Sequence, residues 1–263
     1  MKIFTKQLGM LGLCIALVLG ITCYQASAHD LWLEIRDYTP QLGEEITLTL
    51  GYGHHLPARE FMPGEDLEKI YILAPQGKKI GIKRYSDVEY KGDKPLDQEG
   101  TYLVVAKKKG GFFTKTTEGY KRGHSKKGLK NVIKCTYSEK YTKAIVNVGK
   151  AGGKIFSKVL GHDLEIIPLT DPGGLAEGGY LSVKVLYKKK PLSYTPVYAT
   201  YLGFSTEKAA FAYTTKTTAE GIAKIKILKS GIWLMTTGHE EAYPDSDECD
   251  YNKFSATLTF EVK

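Results

Sequence analysis

Cysteine is sparse in this chain: four residues in 263, with Cys14 and Cys23 both inside the first 28 positions. No C-x-x-C pair occurs, which removes the usual thiolate zinc sites and dithiol redox motifs. No G-x-S-x-G elbow is present for serine hydrolysis, and no glycine-rich phosphate loop precedes a helix. Beyond the amino-terminal leader, no apolar run approaches the ~20 residues that a membrane span needs. Helical periodicity is missing as well; a single turn over Gly64–Ile70 is the most that is expected. Acids are the minority charge, 29 against 37 Lys and Arg, for a formal net charge of +8.

What is present begins with a leader. Lys2 and Lys6 precede a largely apolar run from Leu8 to Ile21, and Ala26-Ser27-Ala28 forms an A-x-A cleavage site, the layout of a secretory signal peptide over residues 1–28. Cleavage leaves 235 of the 263 residues and a charge of +6. The mature chain is expected to be periplasmic. Its excess charge lies in Lys107-Lys108-Lys109, Lys126-Lys127 and Lys188-Lys189-Lys190. Such runs suit nucleic acid or an anionic surface, but they are read here as solvated loop tips, and no nucleic-acid partner is expected. Cys135 and Cys249 remain, and an oxidising compartment favours pairing them over two free buried thiols.

The chain repeats itself. HDLWLEIRDYTPQLGEEITLTL from His29 parallels HDLEIIPLTDPGGLAEGGYLSVKVL from His162; GTYLVVAKK from Gly100 parallels GIWLMTTGH from Gly231; CTYSEKYTKAIVNV from Cys135 parallels CDYNKFSATLTFEV from Cys249. The surplus in the first copy falls in Gly110–Lys130, read as an inserted loop. Runs of period two, such as Ile46–Leu50 and Leu181–Val185, alternate with turns at Pro75-Gln76-Gly77 and Asp171-Pro172-Gly173-Gly174. Eighteen tyrosines and abundant Thr and Val suit half-buried strands. The fold class expected is all-β: two tandem immunoglobulin-like β-sandwich domains, residues 29–150 and 160–263, with a linker near Gly149–Gly161.

Cleavage after Ala28 would give a terminus at His29 with an α-amine and an imidazole on one residue, able to chelate a metal ion when both are deprotonated. The amine pKa is only about 8, so a metal displaces its proton near neutrality. A strand over Leu31–Arg36, turning through Asp37–Gly43 and returning over Glu45–Gly51, carries Gly53-His54-His55 back beside that terminus. His29, His54 and His55 are therefore candidate metal ligands. His239, at a strand end beside Glu240 and Glu241, is a further candidate from the second domain. His124 among cations and His162 are read as surface and structural residues. Glu60, Met62 and Asp66 are read as belonging to a solvated loop or rim. Imidazole and amine nitrogens suit borderline divalent ions: Ni(II), with Co(II), Cu(II) or Zn(II) as alternatives.

HDLWLEI, GHHLPAREF, GHDLEIIPLTDP and the closing SATLTFEV, in this order, resemble the DUF4198 family, periplasmic components associated with nickel or cobalt uptake. The resemblance runs through nearly all of the mature chain. It implies an exported, non-enzymatic protein that captures nickel or cobalt and delivers it to a membrane transporter, with His29, His54, His55 and, less directly, His239 at the positions of ligands. Two rivals remain at this stage. One is a copper histidine-brace oxidative enzyme, built on an amino-terminal histidine and a second histidine. The other is a carbohydrate-binding or adhesion module, for which the tyrosines offer stacking surfaces.

Overall fold

The computed structural model describes residues 29–150 and 152–263, so the expected signal peptide lies outside the described residues. Strands dominate. The first half contains β1 (Asp30–Ile35), β2 (Thr47–Gly53), β3 (Glu60–Phe61), β4 (Leu67–Leu73), β5 (Lys79–Ile80), β6 (Ile82–Arg84), β7 (Glu89–Gly92), β8 (Gly100–Thr116), β9 (Gly119–Arg122) and β10 (Val132–Val148). The second contains β11 (Leu164–Pro168), β12 (Tyr180–Tyr187), β13 (Lys190–Pro191), β14 (Pro196–Tyr201), β15 (Tyr213–Lys216), β16 (Ile222–Lys226), β17 (Gly231–Ala242) and β18 (Tyr251–Val262). The expected turn near Gly64 is a 3₁₀ turn over Gly64–Asp66, and strand β4 starts at once after it.

Three sheets result. The first runs β1-β2-β7-β6, with β3 on β2; the last runs β11-β12-β13, with β16 on β12. Between them lies a nine-stranded sheet ordered β15-β14-β17-β18-β10-β8-β4-β5, with β9 on β8. This middle sheet reads the same from both ends, because β4-β8-β10 of the first half mirrors β14-β17-β18 of the second. Its centre is the one parallel pair, β10 with β18. A pseudo-twofold axis along that seam keeps strand direction and exchanges faces, so the two halves put their smaller sheets on opposite sides.

Side-chain alternation agrees with this stacking. On β8, Tyr102, Val104 and Ala106 join Leu31, Leu33, Leu48 and Leu50 in one core, while Leu103 and Val105 join Leu164, Ile166, Val183 and Trp233 in the other. A sheet covered on both faces must be apolar on both, which is why Tyr102–Ala106 reads as an unbroken buried run. The two sandwiches are thus fused through a shared layer. The stretch between them is tied down: Gly152 and Thr101 exchange hydrogen bonds, and Ile155 is buried. A disulfide joins Cys135 to Cys249 beside the seam, Cα to Cα 5.0 Å.

Two local expectations need correction. Gly110–Lys130 is not a loose insertion, because β8 continues to Thr116 and β9 pairs back on it. Lys107–Lys109 is not a loop tip but lies within β8, where Lys107 meets Glu68 and Glu139 at 3.0 and 3.3 Å and Lys108 meets Asp66 at 3.0 Å. Neighbouring strands and the turn before β4 supply carboxylates that the linear sequence separates by tens of residues.

Candidate metal centre

The site grows from the β1–β2 hairpin. Its register pairs Asp30 with Gly53 and Trp32 with Gly51. Leu31, Trp32 and Leu33 are all buried, because β1 lies flat against the middle sheet: the hydroxyls of Thr257 and Thr259 donate to the Leu31 and Leu33 carbonyls at 2.6 and 2.9 Å. Gly51 leaves room for the Trp32 indole; a Cβ there would stand 2.6 Å from the ring. Gly53 has φ of +139°, a conformation that glycine tolerates and that ends the strand. His54 and His55 follow immediately, on non-strand backbone.

This places the His29 ring 4.6 Å from that of His54, centroid to centroid, and stacks its other side on Tyr52 at 5.2 Å. Glu60, from β3, puts Oε2 3.6 Å from His29 Nε2. Burial lowers the pKa of His54, the charge on His29 adds to that, and Asp30 opposes both. His54 therefore presents a neutral imidazole to lower pH than a solvated histidine would. His55 lines the same cleft, and its Nδ1 is buried without a hydrogen-bond partner.

The cleft draws on both halves of the chain. Asp30 lies on its floor and accepts a hydrogen bond from Thr236 of β17 at 3.0 Å. Burial raises the Asp30 carboxyl, while Lys140, the Thr236 bond, Lys253 and His54 act against it. Its neighbour Lys140 is pushed down to about 8 by its own burial, with Asp30 the main force opposing. The far wall is the loop between β14 and β15, which brings Glu207 and Phe211 to the cleft and donates the Ala209 amide to the His54 carbonyl at 3.2 Å.

His239 does not join this group. On β17, Thr236 points toward Asp30, whereas Trp233 and Met235 point into the opposite core. His239 shares the odd-numbered face and packs against Tyr187, ring centroids 4.2 Å apart and tilted by 48°. His162 stacks on Tyr141 at 4.8 Å, also in the second core's layer, and His124 is exposed. Among the rim residues, Met62 is buried in the first core and Asp66 is engaged by Lys108, so only Glu60 reaches the histidines. The sequence reading missed Asp30, Thr236 and the β14–β15 loop as parts of the site. Asp30 was signalled by the His-Asp repeat; the other two come from strands that nothing local connects to His29. Among the described residues, no three His, Cys, Asp or Glu side chains converge closely enough to hold a metal ion by themselves.

A family profile described as "Domain of unknown function (DUF4198)" matches residues 26–241. No curated protein matches. Similar solved structures include the titin domains Z1Z2 in complex with telethonin, 10% identical, covering 90% of this chain and 97% of that one at a TM-score of 0.21. The D00-D0 domains of intimin are 13% identical over 88% and 98% of the two chains, TM-score 0.21. A DUF4785 family protein from Legionella pneumophila is 9% identical over 81% and 53%, TM-score 0.26. At such scores these likenesses carry no argument about the chain.

Proposed function

The chain belongs to the DUF4198 family, and from that premise and the histidine geometry we propose that it binds a transition-metal ion, Ni(II) or Co(II), and passes it to a membrane transporter. The observation that carries this reading is the 4.6 Å approach of the His29 and His54 rings, imposed by the β1–β2 register. Two imidazoles make an incomplete set. Signal-peptide removal would supply the missing donor, because the His29 nitrogen is an amide to Ala28 in the full chain and becomes an amine when that bond is cut. Amine and ring of one residue then close a chelate, and His54 completes three nitrogens. His55 Nδ1, which lacks a partner, is available as a fourth if its ring turns toward the cleft mouth.

Nitrogen donors of this kind favour Ni(II), Co(II) and Cu(II) over hard ions, and metal supply decides among them. The chain's task would be capture and release. Both proceed through the proton equilibria of the donors: a fall in pH protonates first the amine and then the imidazoles and ejects the ion.

Isothermal titration of Ni(II) into the chain beginning at His29 tests this reading. His29→Ala and His54→Ala are each expected to weaken binding at least ~100-fold, roughly 2.7 kcal/mol. Unchanged affinity in both variants would remove the site.

A further inference from the structure

Beyond Lys108, β8 leaves β4 and continues flanked only by β10 and β9. The result is a three-stranded extension beyond β4, and it is braced at its base. The Cys135–Cys249 disulfide pins it, the Cys135 amide donates to Asp250 at 2.7 Å, Lys126 pairs with Asp250, and Lys127 pairs with Asp245 at 3.0 Å. Thr114 also donates its hydroxyl to the His124 carbonyl at 2.7 Å, holding the connection to β10 against the blade. Little of this rigidity serves either core.

The arm's surface is amphipathic in an unusual sense. Register sets Phe113 opposite Arg122 and Lys115 opposite Tyr120, all on one face, and Phe113 stacks on Tyr120 at 4.8 Å. Phe113 is 37% exposed, Tyr120 60% and Ile133, at the start of β10, 56%. Residues 109–130 carry seven cations and one acid, Glu118. Lys126 and Lys127 are consumed by the brace, and Lys115, Lys121, Arg122 and Lys130 have no ion-pair partner among the described residues.

Exposed rings ringed by uncompensated cations gain nothing from water. They suit a surface that is anionic outside and apolar just beneath, where aromatic rings settle at the headgroup boundary and cations meet phosphates. We propose that this arm docks the protein on an anionic phospholipid bilayer, with Phe113 and Tyr120 at the headgroup boundary, Lys115 and Arg122 on the same face against lipid phosphates, and Lys121 adding charge from the blade's other face. The docking face is also the face of the middle sheet that carries β1. β2, whose Tyr52 stacks on His29, belongs to the sheet packed on that face. Docking by the arm would therefore turn the histidine cleft toward the bilayer plane. The inference stands without the metal reading, since no bound ion is needed for it.

Vesicle flotation with the metal-free chain beginning at His29 tests it, using phosphatidylglycerol-rich vesicles against pure phosphatidylcholine at low and high salt. The expected result is flotation with anionic vesicles at low salt, and none with phosphatidylcholine. The triple variant Lys115→Glu, Lys121→Glu, Arg122→Glu should bind at least ~100-fold more weakly. Phe113→Ser with Tyr120→Ser should bind about tenfold more weakly. Because any basic protein feels an anionic surface, the control variant Lys216→Glu, Lys224→Glu, Lys226→Glu carries the same net charge on exposed strands of the other half. It should retain most of the binding. No flotation of the native chain overturns the proposal, as does equal loss in the arm and control variants, or capture only by an acidic protein with no vesicle binding.

Discussion

The two His-Asp hairpins start from nearly the same words and end as different objects. In the first, β1 and β2 bring Gly53 opposite Asp30, so the next residue, His54, meets His29. In the second, β11 and β12 pair Leu164 with Tyr187, and the Lys188 amide donates to the Asp163 carbonyl at 2.7 Å. Lys188 thus takes the place of Gly53, and Lys189 that of His54. The position across the ladder from His162 is thus a lysine, where that from His29 is a histidine, and the His162 ring stacks on Tyr141 instead. The hairpins also sit on opposite faces of the shared sheet, as the pseudo-twofold requires. One core position differs in kind: Trp32 in the first becomes Glu165 in the second, which reaches Lys143 at 2.9 Å in full burial and also accepts the Leu160 and Gly161 amides. A repeated motif supplies a strand; the residue across the ladder decides whether it supplies a site.

That contrast can be broken most severely at its buried pair. Lys143→Met leaves Glu165 desolvated without its cation and is expected to cost ~3–5 kcal/mol in urea unfolding. Nickel affinity should stay within about twofold, because the pair lies under the other face. A second change moves the lysine to the first hairpin. His54→Lys reproduces the second hairpin's arrangement and should reduce Ni(II) affinity at least ~100-fold by calorimetry, about 2.7 kcal/mol. The reciprocal Lys189→His should leave stoichiometry at one ion, since no free amine can arise at His162.

An effect of comparable size concerns pH. Burial holds His162 down at about 4, against a charge on Glu165 that favours protonation. The unfolded chain takes up its proton near 6.5 and the native chain does not, so stability is complete above that pH and declines as pH falls toward 4. The contribution at stake is up to ~3 kcal/mol. His162→Phe keeps the stack on Tyr141 and should flatten this part of the stability–pH curve; an unchanged slope would assign it elsewhere. The smallest expected effect is that of His239→Ala. Its imidazole is in the other layer, and Ni(II) affinity should change less than about twofold.

Much of this was readable in advance. Alternation gave the strands of β2 and β12, and antiparallel geometry alone placed His54 beside His29. What escaped was whatever depends on the parallel seam. The expected Cys135–Cys249 pair brought the starts of CTYSEK and CDYNKF together, but not into one parallel ladder, so the fusion into one sheet, the opposite facing of His239, and the reach of Thr236 to Asp30 could not be inferred. The lysine runs were misjudged for the same reason. Lys107 and Lys108 look solvated in sequence because Glu68 and Glu139 come from other strands and Asp66 from the turn before β4.

The most direct test compares Ni(II) titrations of two proteins that differ at one end only, the chain beginning at His29 and the same chain with one alanine added before it. All side chains, the cleft and the β1–β2 register are common to both, and only the primary amine moves off the histidine. The account predicts that the added residue weakens binding at least ~100-fold. Equal affinity would contradict it, because the ion would then be held by side chains that the structure does not bring together.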